Sequence, residues 1–187
     1  MPVDIVWLPN FIAIISDCME SGVYVISLSR DPDSNNGLHK QAPLSDSIIS
    51  EWISQANSET ERLVYGTKPN QQLATDKITR TLLEQFWLPN ENILYIGASK
   101  RGIMCRICDF YKHTLGNNGP HRGGQWVLTI DQPLYIHWAI DQDPMGSEKR
   151  ALEEFSRQAN RPPEYSGKLL PFGNLQGNKH KTGLRRQ

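Results

Sequence analysis

The sequence predicts a small α/β (α+β) protein built on a three-stranded, mainly antiparallel sheet that is flanked by helices. Three short apolar runs with turn-forming residues at their ends predict the strands, at residues 22–29, 92–97 and 134–140. Segments with apolar residues at helical spacing alternate with these runs. The long stretch between the first two runs, residues 38–90, predicts a helical insertion that splits the first hairpin.

Four segments predict helices, because their apolar residues recur three and four positions apart. Two of them lie within the insertion, at residues 44–55 and 75–87, and the second stops before Pro89. The other two lie at residues 103–115 and 147–158. Helix therefore follows strand along most of the chain, which indicates helices covering the sheet.

Length and composition limit the classes of protein to which this chain can belong. With 187 residues, of which 38% are hydrophobic, the chain can form one domain with a hydrophobic core. We expect no membrane contact and no signal peptide, because no uncharged apolar run approaches about 18 residues and residues 1–10 contain no basic stretch. The odd number of cysteines, three, indicates a reducing compartment and so a cytoplasmic protein, nucleoid-associated in a bacterium. We expect one domain over residues 1–178 and a flexible basic tail at 179–187.

The zero net charge hides an asymmetry along the chain. Residues 1–65 carry nine acidic and three basic side chains, whereas residues 149–187 carry nine basic and three acidic ones. Such an asymmetry favours an acidic partner for the basic part, although a solvated terminus alone explains the same tail. If the partner is DNA, the lysines and arginines expected to contact its phosphates are Lys100, Arg101, Lys112, Arg122, Lys179, Lys181, Arg185 and Arg186.

One ordered set of residues has the potential for chemistry. In chain order it consists of GVY at 22–24, YIG at 95–97, Arg106, Glu148 and Asn174. With these motifs in this order, the chain resembles the GIY-YIG nuclease family over roughly residues 20–29 and 92–175. The combination carries the resemblance, because either triplet alone occurs in ordinary buried strands.

The chain departs from the family pattern at two points. Seventy residues separate Tyr24 from Tyr95, where family members have a short hairpin, and loop-closure entropy grows slowly enough with length to allow this. Family members also often place a His or Tyr four residues after the helix arginine, and that position is Phe110 here. His121, in a glycine-rich loop, and His113, which a continued helix would place near the direction of the arginine, are the candidates for the missing polar partner.

The resemblance implies a metal-dependent endonuclease that hydrolyses phosphodiester bonds in DNA with Mg²⁺ (or Mn²⁺). Glu148 matches the family's metal ligand, and one carboxylate with several waters suits Mg²⁺. Arg106 offers a permanent charge for the phosphate. Tyr24 and Tyr95 are expected at the attacking water and the phosphate, with Tyr24 favoured as the base and Asn174 in support. This requires nearby cations to lower a phenol pKa from about 10. A homodimer is one way for such an enzyme to cut both strands.

Two alternatives explain the same residues. A nucleic-acid-binding or scaffold module could have kept the fold and lost cleavage, and Phe110 favours this. Alternatively, an unrelated α/β protein could contain the triplets by coincidence. Tyrosines in strands usually serve to pack the core, and a glutamate near the start of a helix, such as Glu148, stabilises the helix dipole without any metal. The nuclease interpretation requires Tyr24, Tyr95, Arg106 and Glu148 to converge on one surface.

Overall fold

The computed structural model of the protein describes residues 20–31, 39–58, 63–65, 72–113, 120–121, 124–159, 169–177 and 185–186. These residues form six strands, four α-helices and two short 3-10 helices. In chain order the elements are β1 (Gly22–Ser27), α1 (Asp46–Ser58), β2 (Leu63–Tyr65), β3 (Gln72–Leu73), α2 (Asp76–Glu84), β4 (Ile93–Ser99), α3 (Ile103–Lys112), β5 (Tyr135–Ile140), α4 (Pro144–Gln158) and β6 (Arg185–Arg186). The 3-10 helices span Gln125–Thr129 and Phe172–Gly177.

The main sheet confirms the predicted fold class. β1 lies in its centre and pairs antiparallel with β4 on one side and β5 on the other. The two helices of the insertion, α1 and α2, lie between β1 and β4 in the chain. All three strands begin and end within two residues of the predicted positions.

The register of the sheet decides which side chains share a face. Tyr24 and Ile26 are buried, and the intervening Val25 is half-buried, as the alternation of side chains along a strand requires. Tyr24 lies opposite Gly97 of β4, and Ile26 lies opposite Tyr95. Because residues directly opposite each other point to the same face, both tyrosines project from the same side of the sheet.

All four helices differ at one or both ends from the predicted ranges by up to three residues, and two of these differences lie beside the candidate site. α3 ends at Lys112 because His113 takes an extended backbone (φ −72°, ψ 128°), so the helical geometry that related His113 to the arginine does not apply. α4 begins three residues before its predicted start, at Pro144. The side chain of Asp143 accepts a hydrogen bond from the N–H of Gly146 at 3.1 Å, and proline suits the first turn of a helix.

The insertion packs onto the same core as the sheet. Trp52 of α1 contacts Trp126, with ring centroids 4.9 Å apart. At the other end of the insertion, Trp87 contacts Phe172 at 5.7 Å. These aromatic contacts make the insertion part of the hydrophobic core. Within the described ranges, no helix is both long and apolar enough to cross a membrane.

A second, smaller sheet contains the end of the described chain. β2 lies in its centre and pairs antiparallel with β3 and with β6. Arg186 lies opposite Leu63, and Arg185 lies opposite Val64. The backbone of these two arginines is therefore paired with the insertion, which differs from the expected tail without regular structure.

Candidate active site

The rings of Tyr24 and Tyr95 pack beside each other above Gly97. Their centroids lie 5.7 Å apart, with the ring planes inclined by 39°. A Cβ atom on residue 97 would lie 2.6 Å from Tyr95 Cε1 and 2.8 Å from Tyr24 Cε1. Both distances are shorter than any ordinary carbon contact, so only glycine leaves room for the two rings. The glycine of YIG is thus explained by the tyrosines on both sides of it.

The structure brings His121 to Tyr24. His121 is fully buried, and its Nε2 forms a hydrogen bond with Tyr24 Oη. Its ring packs edge-on against Tyr95 and against Phe110, with centroids 5.5 Å and 5.4 Å away. Phe110 thus packs on the histidine that bonds to Tyr24, and His121 stays a candidate for the polar partner that position 110 lacks.

Burial keeps the imidazole of His121 neutral. Burial first, and then the charge of Arg106, lowers the pKa of His121 to about 4, although a hydrogen bond with its own main chain opposes this shift. The imidazole is therefore neutral at pH 7, and its Nε2 shares one hydrogen with Tyr24 Oη.

Arg106 extends from α3 towards both phenols. Its Nη1 donates a hydrogen bond to the carbonyl of Pro120 at 3.2 Å, and it approaches the Asp109 carboxylate only to 3.9 Å. Burial raises the pKa of both Tyr24 and Tyr95, and the neighbouring Tyr95 raises the pKa of Tyr24 further, whereas the charge and the hydrogen bonding of Arg106 lower both pKa values. The predicted lowering by cations is thus present, but desolvation outweighs it, and the pKa of Tyr24 lies well above its ordinary value.

Glu148 lies in the second turn of α4 and completes the group. Its side chain is half-buried, which raises the pKa of its carboxyl group, and Arg106 opposes this rise. Its negative charge in turn raises the pKa of Tyr95. Electrostatic interactions therefore connect the carboxylate to the arginine and to a phenol, as the sequence-based interpretation requires. We call the five residues the tyrosine cluster: Tyr24, Tyr95, Arg106, His121 and Glu148.

The two charged members of the tyrosine cluster lie closer to solvent than its three aromatic members. Tyr24, Tyr95 and His121 are buried, whereas Arg106 and Glu148 are partly exposed. A ligand that arrives from solvent therefore meets the guanidinium and the carboxylate first. The phenols and the imidazole lie behind these two charged groups.

The donor set fits one kind of metal site. In the part of the chain that the structure describes, no group of three or more His, Cys, Asp or Glu side chains could hold a metal ion. Glu148 offers a single, partly desolvated carboxylate, which a cation would compensate. Mg²⁺ keeps several of its waters and binds through one or two carboxylates. The cluster thus fits Mg²⁺ held by one carboxylate and water, and it does not fit a caged metal.

Asn174 acts on the backbone of the YIG strand. Its Oδ1 accepts the N–H of Ile96 at 2.8 Å, and its Nδ2 donates to the carbonyl of Ile96 at 2.7 Å. β4 is an edge strand, so these two groups have no further strand to pair with. Asn174 thus docks the second 3-10 helix onto the strand segment between Tyr95 and Gly97, and it supports the site by fixing that segment.

The expected DNA-contacting residues fall into three groups. Lys100 and Arg101 are exposed in the turn before α3, and Lys112 is exposed at its last residue, so they bracket the helix that carries Arg106. Arg185 and Arg186 lie in the small sheet. The other three, Arg122, Lys179 and Lys181, lie outside the described residues.

The sequence did not indicate the buried positions and hydrogen bonds of two titratable side chains, His113 and Glu91. His113 lies next to His121 and bonds to its main chain. Glu91, 5% exposed, accepts hydrogen bonds from the N–H groups of Leu88 and Phe172 at 3.2 Å and 2.7 Å. Burial raises the pKa of Glu91 to about 8. Its position directly before a predicted strand was the only available signal, and it does not distinguish a buried carboxylate from an exposed one.

Comparisons of this chain with protein-family models, with curated proteins and with solved structures return no match. The resemblance to GIY-YIG nucleases therefore depends on the motif residues and on the geometry that brings them together.

Proposed function

We propose that this protein is a metal-dependent endonuclease of the GIY-YIG type that hydrolyses phosphodiester bonds in DNA. The observation that carries the proposal is the convergence of Tyr24, Tyr95, Arg106 and Glu148, which come from two strands and two helices. They follow the order of residue types on which the family resemblance depends. Coincidental triplets in ordinary packed strands do not account for this convergence.

The charge of Arg106 suits the phosphate. During hydrolysis, negative charge grows on the non-bridging oxygens of the phosphate as water attacks. A guanidinium stays ionised and presents several N–H donors in one plane, which matches that group. Since Arg106 is partly exposed and its distance to Asp109 is 3.9 Å, its charge is available to a substrate.

The two phenols have different surroundings, and we assign them different roles. Arg106 favours the ionised form of both phenols, whereas the interaction between the two phenols raises the pKa of Tyr24 and lowers that of Tyr95. Tyr24 Oη is also hydrogen-bonded to the imidazole of His121, and the negative charge of Glu148 acts on Tyr95 and favours its protonated form. Because of these neighbours, we assign Tyr24, with His121 as its hydrogen-bond partner, to the proton of the attacking water and Tyr95 to a hydrogen bond with the phosphate.

The metal and the DNA complete the proposal. Glu148 would hold Mg²⁺ or Mn²⁺, which supplies positive charge to the phosphate and lowers the pKa of bound water. Lys100, Arg101 and Lys112 would contact backbone phosphates on either side of α3, which makes binding sensitive to salt. Cutting both strands at one position needs two such sites, so double-strand cleavage implies a homodimer.

Plasmid nicking tests the proposal. Supercoiled DNA is incubated with the protein in Mg²⁺, in Mn²⁺ and in EDTA, alongside Glu148→Gln and a control, Glu153→Gln, which changes an exposed glutamate of the same helix. We expect metal-dependent cleavage by the wild type and by Glu153→Gln, and a loss of at least about 10²-fold in Glu148→Gln. Equal activity of the two variants, or no wild-type cleavage in either metal, contradicts the proposal. Binding without cleavage supports the scaffold alternative.

A further inference from the structure

His113 uses both of its ring nitrogens in hydrogen bonds. It is 6% exposed, and its Nδ1 lies 3.1 Å from the backbone nitrogen of His121. Because a backbone N–H can only donate, Nδ1 accepts and carries no proton. The proton then lies on Nε2, which is 3.4 Å from Gln125 Oε1 and donates to it. The two contacts fix His113 as the neutral Nε2–H tautomer.

The peptide group between Pro120 and His121 is held at both of its polar atoms. Its carbonyl oxygen, on Pro120, accepts from Arg106 at 3.2 Å. Its N–H, on His121, donates to His113 at 3.1 Å. Arg106 lies in the first half of α3, and His113 is the first residue after that helix. One helix with its cap thus fixes the plane of the peptide from which the His121 side chain departs.

We propose that His113 is a positioning residue, which acts through the main chain of His121 to hold the imidazole against Tyr24. The inference rests on the proposed function and adds a residue to it. The sequence-based expectation placed His113 among the groups that act on the reaction directly. Its bond to the main chain of His121 assigns it instead to the support of the residue that bonds to Tyr24.

Position matters here because the Tyr24–His121 contact is a single hydrogen bond. Hydrogen bonds weaken steeply when the donor turns away from the acceptor, and displacements of about 1 Å in an active site can cost 10²-fold in rate. The packing of Tyr95 and Phe110 around the imidazole restrains the ring. The clamped peptide restrains the point at which the side chain is attached.

A matched pair of variants tests the clamp. Asparagine at 113 presents an amide oxygen in place of Nδ1, whereas leucine has the same branched shape without an acceptor. With wild-type protein as reference, we expect His113→Asn to keep kcat within about 3-fold and His113→Leu to lose about tenfold or more, with KM little changed in both. In a His121→Ala background, His113→Leu should cause no further loss, because it acts through His121.

Equal losses in the two His113 variants, or a loss from His113→Leu that persists in the His121→Ala background, overturn the proposal. A readout independent of activity is the ¹⁵N NMR spectrum of the wild-type imidazoles, together with hydrogen exchange of the His121 amide. We expect an unprotonated Nδ1 in His113 and a slowly exchanging His121 amide. A protonated Nδ1 overturns the clamp even if DNA is cleaved. The expected spectrum without any DNA cleavage shows that the clamp exists, but it overturns the proposed function and the positioning role with it.

Discussion

Arg106 in the tyrosine cluster and Arg80 in the insertion are two helix arginines with similar exposure and different partners. Their side chains are 31% and 35% exposed. Arg80 forms ion pairs with two carboxylates, those of Asp46 and of Glu84, the latter at 3.0 Å. Arg106 donates to a neutral carbonyl and approaches Asp109 only to 3.9 Å.

The difference separates an arginine whose charge is paired locally from the arginine to which we assign a role in the proposed function. Arg80 links α2 to α1 through Asp46, and its charge is compensated where it lies. Exposed pairs of this kind contribute little to stability, typically about 0–1 kcal/mol. The charge of Arg106 instead acts on two phenols and on Glu148. Exposure does not distinguish the two arginines, but their partners do.

The largest expected effect on activity tests the difference between Arg106 and Arg80 directly. Arg106→Gln should lower kcat/KM for DNA cleavage by about 10²–10³-fold, because the growing charge on the phosphate loses its cation. Arg80→Gln, the matched change in the insertion, should leave kcat/KM within about 2-fold. Steady-state kinetics on a short labelled duplex measure both. Similar losses in the two variants would show that the compensation of the charge does not matter.

The next effect concerns stability. Gly97→Ala places a methyl group within 2.8 Å of both tyrosine rings, so the rings must move. We expect a loss of about 1–3 kcal/mol in the free energy of unfolding, as in other overpacked cores. Ser54→Ala, an exposed change in α1, should stay within about 0.5 kcal/mol. Urea denaturation of the wild type, Gly97→Ala and Ser54→Ala measures these free energies of unfolding. An unchanged midpoint for Gly97→Ala contradicts the packing described for the tyrosine cluster.

The buried carboxylate of Glu91 differs from an exposed position in its response to pH. Burial raises the pKa of Glu91 to about 8 in the folded protein, above an ordinary value of 4.5, so folding takes up a proton between these pH values. The stabilising contribution is therefore complete below about pH 4.5 and is lost as pH rises through 8. Relative to Glu91→Gln, wild-type stability should fall by up to about 1.4 kcal/mol per pH unit over this range. Ser54→Ala, the exposed control in α1, should run parallel to the wild type, and parallel curves for Glu91→Gln contradict the raised pKa.

Local patterns were sufficient to predict the sheet and the approximate extent of the helices. GVYVIS is a short apolar run that contains β-branched residues and has turn-forming residues at its ends, so it could be recognised as a strand without any knowledge of its partners. The ordered motif also located Tyr24, Tyr95, Arg106 and Glu148, which the structure brings together. The proposed chemistry thus depends on residue types in a particular order along the chain.

Other features depend on contacts between distant segments, and the sequence could not predict them. The clamp on the peptide before His121 needs α3 to end at Lys112, and helix periodicity does not determine that residue. β3 and β6 are strands of two residues each, too short for an alternating pattern. The buried carboxylate of Glu91 accepts a hydrogen bond from the N–H of Phe172, which lies 81 positions away.

The proposed function requires Glu148 to hold a divalent cation near Tyr95 and Arg106. A crystal of the protein with a short DNA duplex, soaked in Mn²⁺ and measured at a wavelength where manganese scatters anomalously, locates that cation. We expect an anomalous peak at the Glu148 carboxylate, on the side that faces Tyr95 and Arg106, and no such peak in Glu148→Gln. Manganese bound only elsewhere, or a wild-type Glu148 that turns away from the phenols when DNA is bound, would contradict the proposed function.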